Sequence, residues 1–321
     1  MANWLVTGGA GYIGAHIVAA LLEQGEQPVV LDDLSTGLRE RAQGAVFVQG
    51  SILDEDLVRR VLRDNEVQGI IHIAAKKQVG ESVAKPLVYY EQNVEGTIRL
   101  LSAAVGERVP SFVFSSSAAT YGMPDAEIVT EDMAGNPLSP YGTSKLIGEW
   151  AARDVAMATG LRVMSLRYFN VAGAARPELG DPGVFNLIPL VFHALEAGEP
   201  PRIFGDDWPT PDGTCIRDYI HVADVADAHV AALRALTDVA GSSYQVFNVG
   251  RGEGTSVREV LDVVAEVTGL DVEPVVVDRR PGDPARIVGS VDRIKNELGW
   301  TARYDLRDMV ESAWQAWNFK K

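Results

Sequence analysis

The chain has 321 residues, a length that fits about two domains of ordinary size. Its 29 Lys and Arg stand against 44 Asp and Glu, a net charge of −15, which argues against a nucleic-acid partner and leaves no basic patch for an anionic membrane surface. With 46% hydrophobic and 23% charged residues it has the mix of a globular protein able to bury a large core, and its single cysteine, Cys215, excludes an intrachain disulfide or a Cys-rich metal site. The opening MANWLVTGG carries neither a basic n-region nor an apolar h-region, and no run approaches the roughly 18 apolar residues of a membrane span, so a soluble cytoplasmic protein is expected.

In chain order, the first half alternates short apolar runs with helical periodicity. Strands are predicted at Asn3–Thr7, Pro28–Leu31, Ala45–Gln49, Gly69–Ala74 and Phe112–Ser115, and helices at Ala15–Leu22, Leu57–Arg63 and Asn93–Val105. Such βαβ repetition, with right-handed crossovers, gives a Rossmann-type α/β fold with a doubly wound parallel sheet. Near Asn170 the alternation stops. Residues 171–215 read as irregular loops with one helix at Ile188–Glu196; a strand at Gln245–Val249, a helix at Ser256–Thr268 and a strand at Pro274–Val277 follow. The expected organisation is a dinucleotide-binding domain over residues 1–170 and a smaller mixed α/β substrate domain over 171–321, with segments around 214–250 returning to the first.

Residues 3–14, NWLVTGGAGYIG, place Gly8, Gly11 and Gly14 between a strand and a helix. Glycines there accept unusual backbone angles and let a pyrophosphate approach the helix N-terminus. Asp32 lies 18 residues beyond Gly14 at the end of PVVLDD, where a carboxylate accepts from ribose hydroxyls and repels a 2′-phosphate, so the cofactor is read as NAD rather than NADP.

Ser115–Ser117 close the fifth predicted strand, at the sheet edge where ligands sit. Tyr141 and Lys145, in SPYGTSK, share a helix face at i and i+4. A neighbouring ammonium lowers a phenol's pKa, so this pair beside a serine hydroxyl makes a proton relay for hydride transfer at a carbinol carbon.

With these motifs the chain resembles the extended short-chain dehydrogenase/reductase superfamily, and within it the UDP-glucose 4-epimerase family, through TGGAGYIG, KPLVYYEQNVEGT, SSSAATYG, SPYGTSK, LRYFNVAGA, FGDDWPTPDGTCIRDYIHV, FNVGRG and RRPGDPA. The resemblance implies C4 epimerisation of a UDP-hexose, with tightly held NAD and catalysis by Ser117, Tyr141 and Lys145. It implies an NAD site formed by Gly8, Gly11, Tyr12, Ile13, Gly14, Asp32, Asp33, Ser51, Ile52, Ala74, Ala75, Lys77, Asn93, Ser115, Tyr141, Lys145, Tyr168 and Phe169. It implies a UDP-sugar site formed by Lys77, Ser117, Tyr141, Asn170, Asn186, Leu187, Ile203, Phe204, Arg217, Arg280, Asp283 and Ile287. Arg217 and Arg280 suit a diphosphate, Phe204 can stack on uracil, and Asp283 can accept from ribose hydroxyls. A homodimer is also implied, pairing the Asn93–Val105 helix and the Tyr141 helix across a two-fold axis.

Three positions depart from the family pattern. Ser51 stands where many members carry Asp, Ala119 where Thr is frequent, and Ile287 at the residue resembling the gate on sugar size, where Tyr restricts and a small residue admits N-acetyl groups. Activity on UDP-N-acetylhexosamines or UDP-pentoses is therefore the alternative. A nucleotide-sugar 4,6-dehydratase would need an acid pair where Ala118 and Ala119 stand, and a non-enzymatic NAD-binding scaffold is opposed by the intact Ser117, Tyr141 and Lys145 set. The five histidines, His16, His72, His193, His221 and His229, lack metal-ligand spacing and read as structural; Asp206, Asp207 and Asp212 read as a solvated loop, so no metal is expected.

Overall fold

A computed structural model describes residues 2–238, 241–280 and 282–319. Seven parallel strands form the central sheet: β1 (Asn3–Thr7), β2 (Gln27–Asp32), β3 (Val46–Gln49), β4 (Gly69–His72), β5 (Ser111–Ser117), β6 (Arg162–Tyr168) and a strand at Ser243–Val249. Before that last strand the chain forms β7 (Asn170–Ala172), β8 (Arg202–Phe204) and β9 (Ile216–His221), so it is β10 in chain order. The sheet order is β10-β6-β5-β4-β1-β2-β3. The order reverses between β1 and β4, and at such a switch point the crevice above the strand ends receives ligands.

Near-continuous apolar strands explain burial on both faces. Leu5, Val29, Leu31, Ile70, Phe112 and Val163 pack against the Glu55–Asp64, Gly96–Gly106 and Pro140–Thr159 helices on one side. Val6, Val30, Ile71, Val113, Leu166 and Phe247 pack against the Tyr12–Glu23 and Val222–Asp238 helices on the other. This second helix follows β9, so residues far beyond 170 complete both the sheet and its cover.

The smaller lobe contains β11 (Gly254–Ser256), β12 (Val275–Val277) and β13 (Arg286–Ile287). β9 pairs antiparallel with β11 and parallel with β7 and β13, while β8 pairs parallel with β12. Its own core joins Ile188, Val191 and Phe192 to Val260, Leu261, Val264, Met309 and Val310.

Several sequence expectations are corrected. The strand expected over Gly69–Ala74 ends at His72, since Ile73 and Ala74 turn both amides onto the Thr7 carbonyl. The helix expected to begin at Asn93 is preceded by a π-helical turn at Tyr90–Glu95 and becomes regular only over Gly96–Gly106. Within 171–215, expected as loop apart from one helix, β8 also forms, held by a partner strand over 70 residues away. Among the described residues no helix is long and apolar enough to cross a membrane, and no group of three or more His, Cys, Asp or Glu is placed to hold a metal ion.

Candidate active site

β1 ends in the glycine turn, and the Tyr12–Glu23 helix begins there with Gly11 as its N-cap and no side-chain cap, which leaves first-turn N–H groups for an anion. Gly8 has φ +71°, and a Cβ on it would meet the Ala74 backbone nitrogen at 2.8 Å. A Cβ on Gly14 would lie 2.1 Å from the Gly8 carbonyl oxygen. Helix and turn therefore touch at a distance that only glycine permits.

Asp32 closes β2 and is buried. Its two carboxylate oxygens accept from the Ala10 amide at 3.0 Å and the Leu34 amide at 2.8 Å, and each keeps a further lone pair. Burial raises its pKa, and these two bonds oppose the rise. From Asp32 a cleft of about 400 Å³ runs along the strand ends. Its walls include Gly8, Gly11, Tyr12, Ile13, Gly14, Asp33, Ser51, Ile52, Ala74, Ala75 and Lys77, and its inner end reaches Tyr141, Lys145 and Tyr168. A glycine cradle at one end and a hydroxyl and an amine at the other fit a dinucleotide whose nicotinamide lies innermost.

Ser139 caps the Pro140–Thr159 helix by accepting from the Gly142 amide at 3.2 Å, with Pro140 opening the first turn. The cap sets the rotation that turns Tyr141 and Lys145 inward, leaving them 8% and 4% exposed. The Lys145 ammonium donates to the Ser115 carbonyl at 2.8 Å and sits 5.2 Å above the Phe114 ring. Ser117 hydrogen-bonds the Tyr141 hydroxyl, and its own Oγ accepts from the Ala119 amide at 3.2 Å.

The expectation that Lys145 lowers the phenol's pKa is corrected. Burial raises Tyr141, and the Ser117 hydrogen bond is what opposes the rise. Burial also lowers Lys145 to about 8, against an opposing pull from Glu149.

Two expected cofactor residues sit behind the cleft. Asn93 spends its amide on the Lys76 backbone, accepting at 2.8 Å and donating at 3.0 Å, and on Ser144 at 3.0 Å. It holds the loop that carries Lys77. Ser115 does not line the cleft: its hydroxyl bonds His229 Nε2 at 2.7 Å and the Tyr168 hydroxyl, and its carbonyl accepts from Lys145. Phe169 also lies off the cleft, packed with Ala118, Tyr121, Val129 and Ile287.

The expected substrate residues fall into two groups. The Arg280 guanidinium stacks 3.6 Å over the Phe204 ring, and Arg217 lies 3.9 Å from Asp283, so these four gather around β8 and β9 with Ile203 buried beneath. Asn170, Asn186 and Leu187 line a separate pocket of about 40 Å³ with Phe192, Tyr219 and Trp317. Tyr12 and Asp181 line both cavities and join them.

Residues 4–250 match the NAD dependent epimerase/dehydratase family. The chain belongs to that family. A UDP-glucose 4-epimerase of Azospirillum brasilense is 46% identical over 98% of this chain and 91% of its own length. The structure of a UDP-glucose 4-epimerase from Stenotrophomonas maltophila with bound NAD and formylated UDP-arabinopyranose matches with TM-score 0.96 and 38% identity, covering 100% of this chain and 99% of that one. The enzyme from Bifidobacterium longum, in complex with NAD+ and UDP, matches with TM-score 0.91 and 36% identity over 99% and 98% of the two chains.

For a member of an NAD-dependent family, the sequence reading missed several groups around the cleft. Gln78, Glu81, Gln92 and the Asp181–Gly183 loop line it, and the Tyr89 hydroxyl bonds both the amide and the carbonyl of Gln78. KPLVYYEQNVEGT was noted as a block, yet nothing in its spacing shows that Tyr89 and Asn93 support one loop. Four of the histidines are spent on hydrogen bonds within the fold: His72 joins Thr7 and Thr97, His229 joins Ser115, His16 accepts from the Ala175 amide, and His221 bonds Ser312. Asp212 is spent on Thr214 and Ser256, and burial pushes the Cys215 thiol up.

Proposed function

We propose that the chain is a UDP-glucose 4-epimerase that interconverts UDP-glucose and UDP-galactose with retained NAD. The observation that carries this reading is the placement of Tyr141, bonded to Ser117, with Lys145 at the inner end of a glycine-cradled cleft. Ser117 donates to the sugar's 4-oxygen, and Tyr141 as phenolate takes the 4-hydroxyl proton and later returns one. Lys145 steadies the negative charge of that phenolate and holds the nicotinamide ribose. A nicotinamide dinucleotide held by the Gly8, Gly11 and Gly14 turn, Asp32 and Lys145 would supply a reversible hydride acceptor for C4, so that the reaction would run with no net redox change.

Inversion requires the ketone to turn over inside the site, so the hexose must be held loosely and the nucleotide firmly. Phe204 and Arg280 supply a stacking face and a cation, and Arg217 with Asp283 suits the diphosphate and ribose. Lys77, exposed and 5.8 Å above the Tyr12 ring, brings a cation to the cleft mouth. Ile287 is buried against Phe169 and is assigned as the gate on the sugar's size. Alanines at 118 and 119 offer no proton for a dehydration, which removes support from the dehydratase alternative.

The reading includes a homodimer. Trp150 and Met157 on the Tyr141 helix, with Val83, Leu87 and Ile98 on the helices flanking it, are exposed apolar side chains, supporting a second copy on that face. Light scattering is expected to give twice the chain mass.

The deciding experiment incubates purified protein with UDP-galactose and no added NAD, with UDP-glucose read by NMR. UDP-glucose is expected; its absence even after NAD reloading overturns the assignment.

A further inference from the structure

One helical turn beyond Lys145, on the same face, lies Glu149. It is 2% exposed and its carboxylate is fully engaged. Arg167 on β6 grips it with a fork, Nε to one oxygen at 2.8 Å and Nη2 to the other at 2.6 Å, and the Ser116 hydroxyl donates to the first oxygen as well. Arg167 is itself 5% exposed, lies 4.8 Å over the Tyr121 ring and donates to the Glu131 carbonyl at 3.4 Å. A buried ion pair of this kind is weak support for stability, since apolar residues of similar size often do as well. Its location next to the proton relay suggests another use.

The groups facing Lys145 are few. Its own helix contributes Tyr141 and Glu149, β5 the Phe114 ring and the Ser115 carbonyl, and β6 Tyr168 and, behind Glu149, Arg167. β4 contributes His72 and the Val222–Asp238 helix His229; burial lowers these to about 3 and about 4, so both are neutral near pH 7. Glu149 is the carboxylate of this set. The lysine, removed from water, has one carbonyl hydrogen bond, one ring face and one nearby anion to keep it an ammonium.

We propose that Glu149, clamped by Arg167 and Ser116 one turn along the same helix face, is a positioning residue for catalysis: its fixed negative charge keeps Lys145 an ammonium at the inner end of the cleft without touching substrate or cofactor. Arg167 and Ser116 serve the reaction by fixing that carboxylate. Burial opposes the Arg167 charge, but the Glu149 fork outweighs it and raises its pKa overall, so the clamp persists through the working pH range. The inference rests on the epimerase reading for its kinetic arm alone.

The test compares wild type, Glu149→Gln and Glu149→Gln/Arg167→Gln. Lys145 is titrated in each by competitive labelling with trace acetic anhydride and peptide mass spectrometry, and kcat and KM for UDP-galactose are followed against pH. In Glu149→Gln the Lys145 titration and the alkaline limb of kcat/KM are expected to move to lower pH together by at least one unit, with KM within about twofold of wild type. The double variant leaves no buried guanidinium without its carboxylate; it keeps the test alive if the single variant does not fold, and a smaller shift in the same direction is expected. A uniform loss of kcat with both titrations unmoved would mark the pair as a structural fastening and overturn the proposal, as would a shift to higher pH. Wild type inactive on UDP-galactose would sink the epimerase reading, while the labelling titration would still decide the role of Glu149.

Discussion

Acid should unfold this protein well above the pH at which carboxylates titrate, because four histidines are buried neutral. Burial lowers His16, His221 and His229 to about 4 and His72 to about 3, from 6.5. The unfolded chain takes up these protons as pH falls through 6.5, while the folded chain refuses them until far lower, so stability is intact above pH 6.5 and drains away below it. At pH 5.0 each histidine lags its unfolded counterpart by 1.5 pH units, or about 2 kcal/mol, and the four together by about 8 kcal/mol. Asp218 opposes this: burial raises it to about 6, so its folded form takes a proton more readily than the unfolded one and returns about 1.4 kcal/mol at pH 5.0. The net loss of about 6–7 kcal/mol is comparable to the whole stability of a typical domain. Urea unfolding at pH 7.5 and 5.0 should show that loss, and the ring signals of these four histidines in NMR should not titrate down to pH 5 in the folded protein. A stability that changes by less than about 2 kcal/mol over that interval would refute the reasoning.

Three further outcomes follow from the site. Gly14→Ala pushes a methyl into the Gly8 carbonyl, so the purified variant should lose its bound nucleotide, read by absorbance after denaturation. Tyr141→Phe keeps the ring and removes the proton carrier, and kcat should fall by about 10²–10⁴-fold with the cofactor retained. Arg280→Ala, which strips the cation from the Phe204 face, should raise KM for UDP-galactose roughly ten- to a hundredfold and change kcat little.

The sheet was legible because its strands are short apolar runs set off by glycine, and the glycine turn, Asp32, Tyr141 and Lys145 because each sits at a fixed offset from such a strand or on one helix face. What escaped depends on distance in the chain. β6 and β9 lie among residues whose local pattern is mixed, and pairing with β5 and β10, or with β7, β11 and β13, makes them strands. Asn93 and Ser115 carry the residue types of a ligand site yet turn toward Lys76, Ser144 and His229, partners that local periodicity does not reveal. The Tyr141 shift went the other way because burial, invisible in a spacing, outweighs the Ser117 hydrogen bond that opposes it, while the Lys145 ammonium is engaged by the Ser115 carbonyl.

The last strand of the main sheet is drawn from residues 243–249, after the chain has already built much of the other lobe. A ribosome must therefore extrude three quarters of the polypeptide before the edge beside β6 can be closed, and until then β6 lacks the strand that brings Phe247 and Val249 into its core. Cutting the gene at the apparent seam would yield two halves that each lack something the other encodes. Recombining substrate preferences between relatives should thus succeed by grafting loops onto the intact weave and fail by exchanging N- and C-terminal blocks.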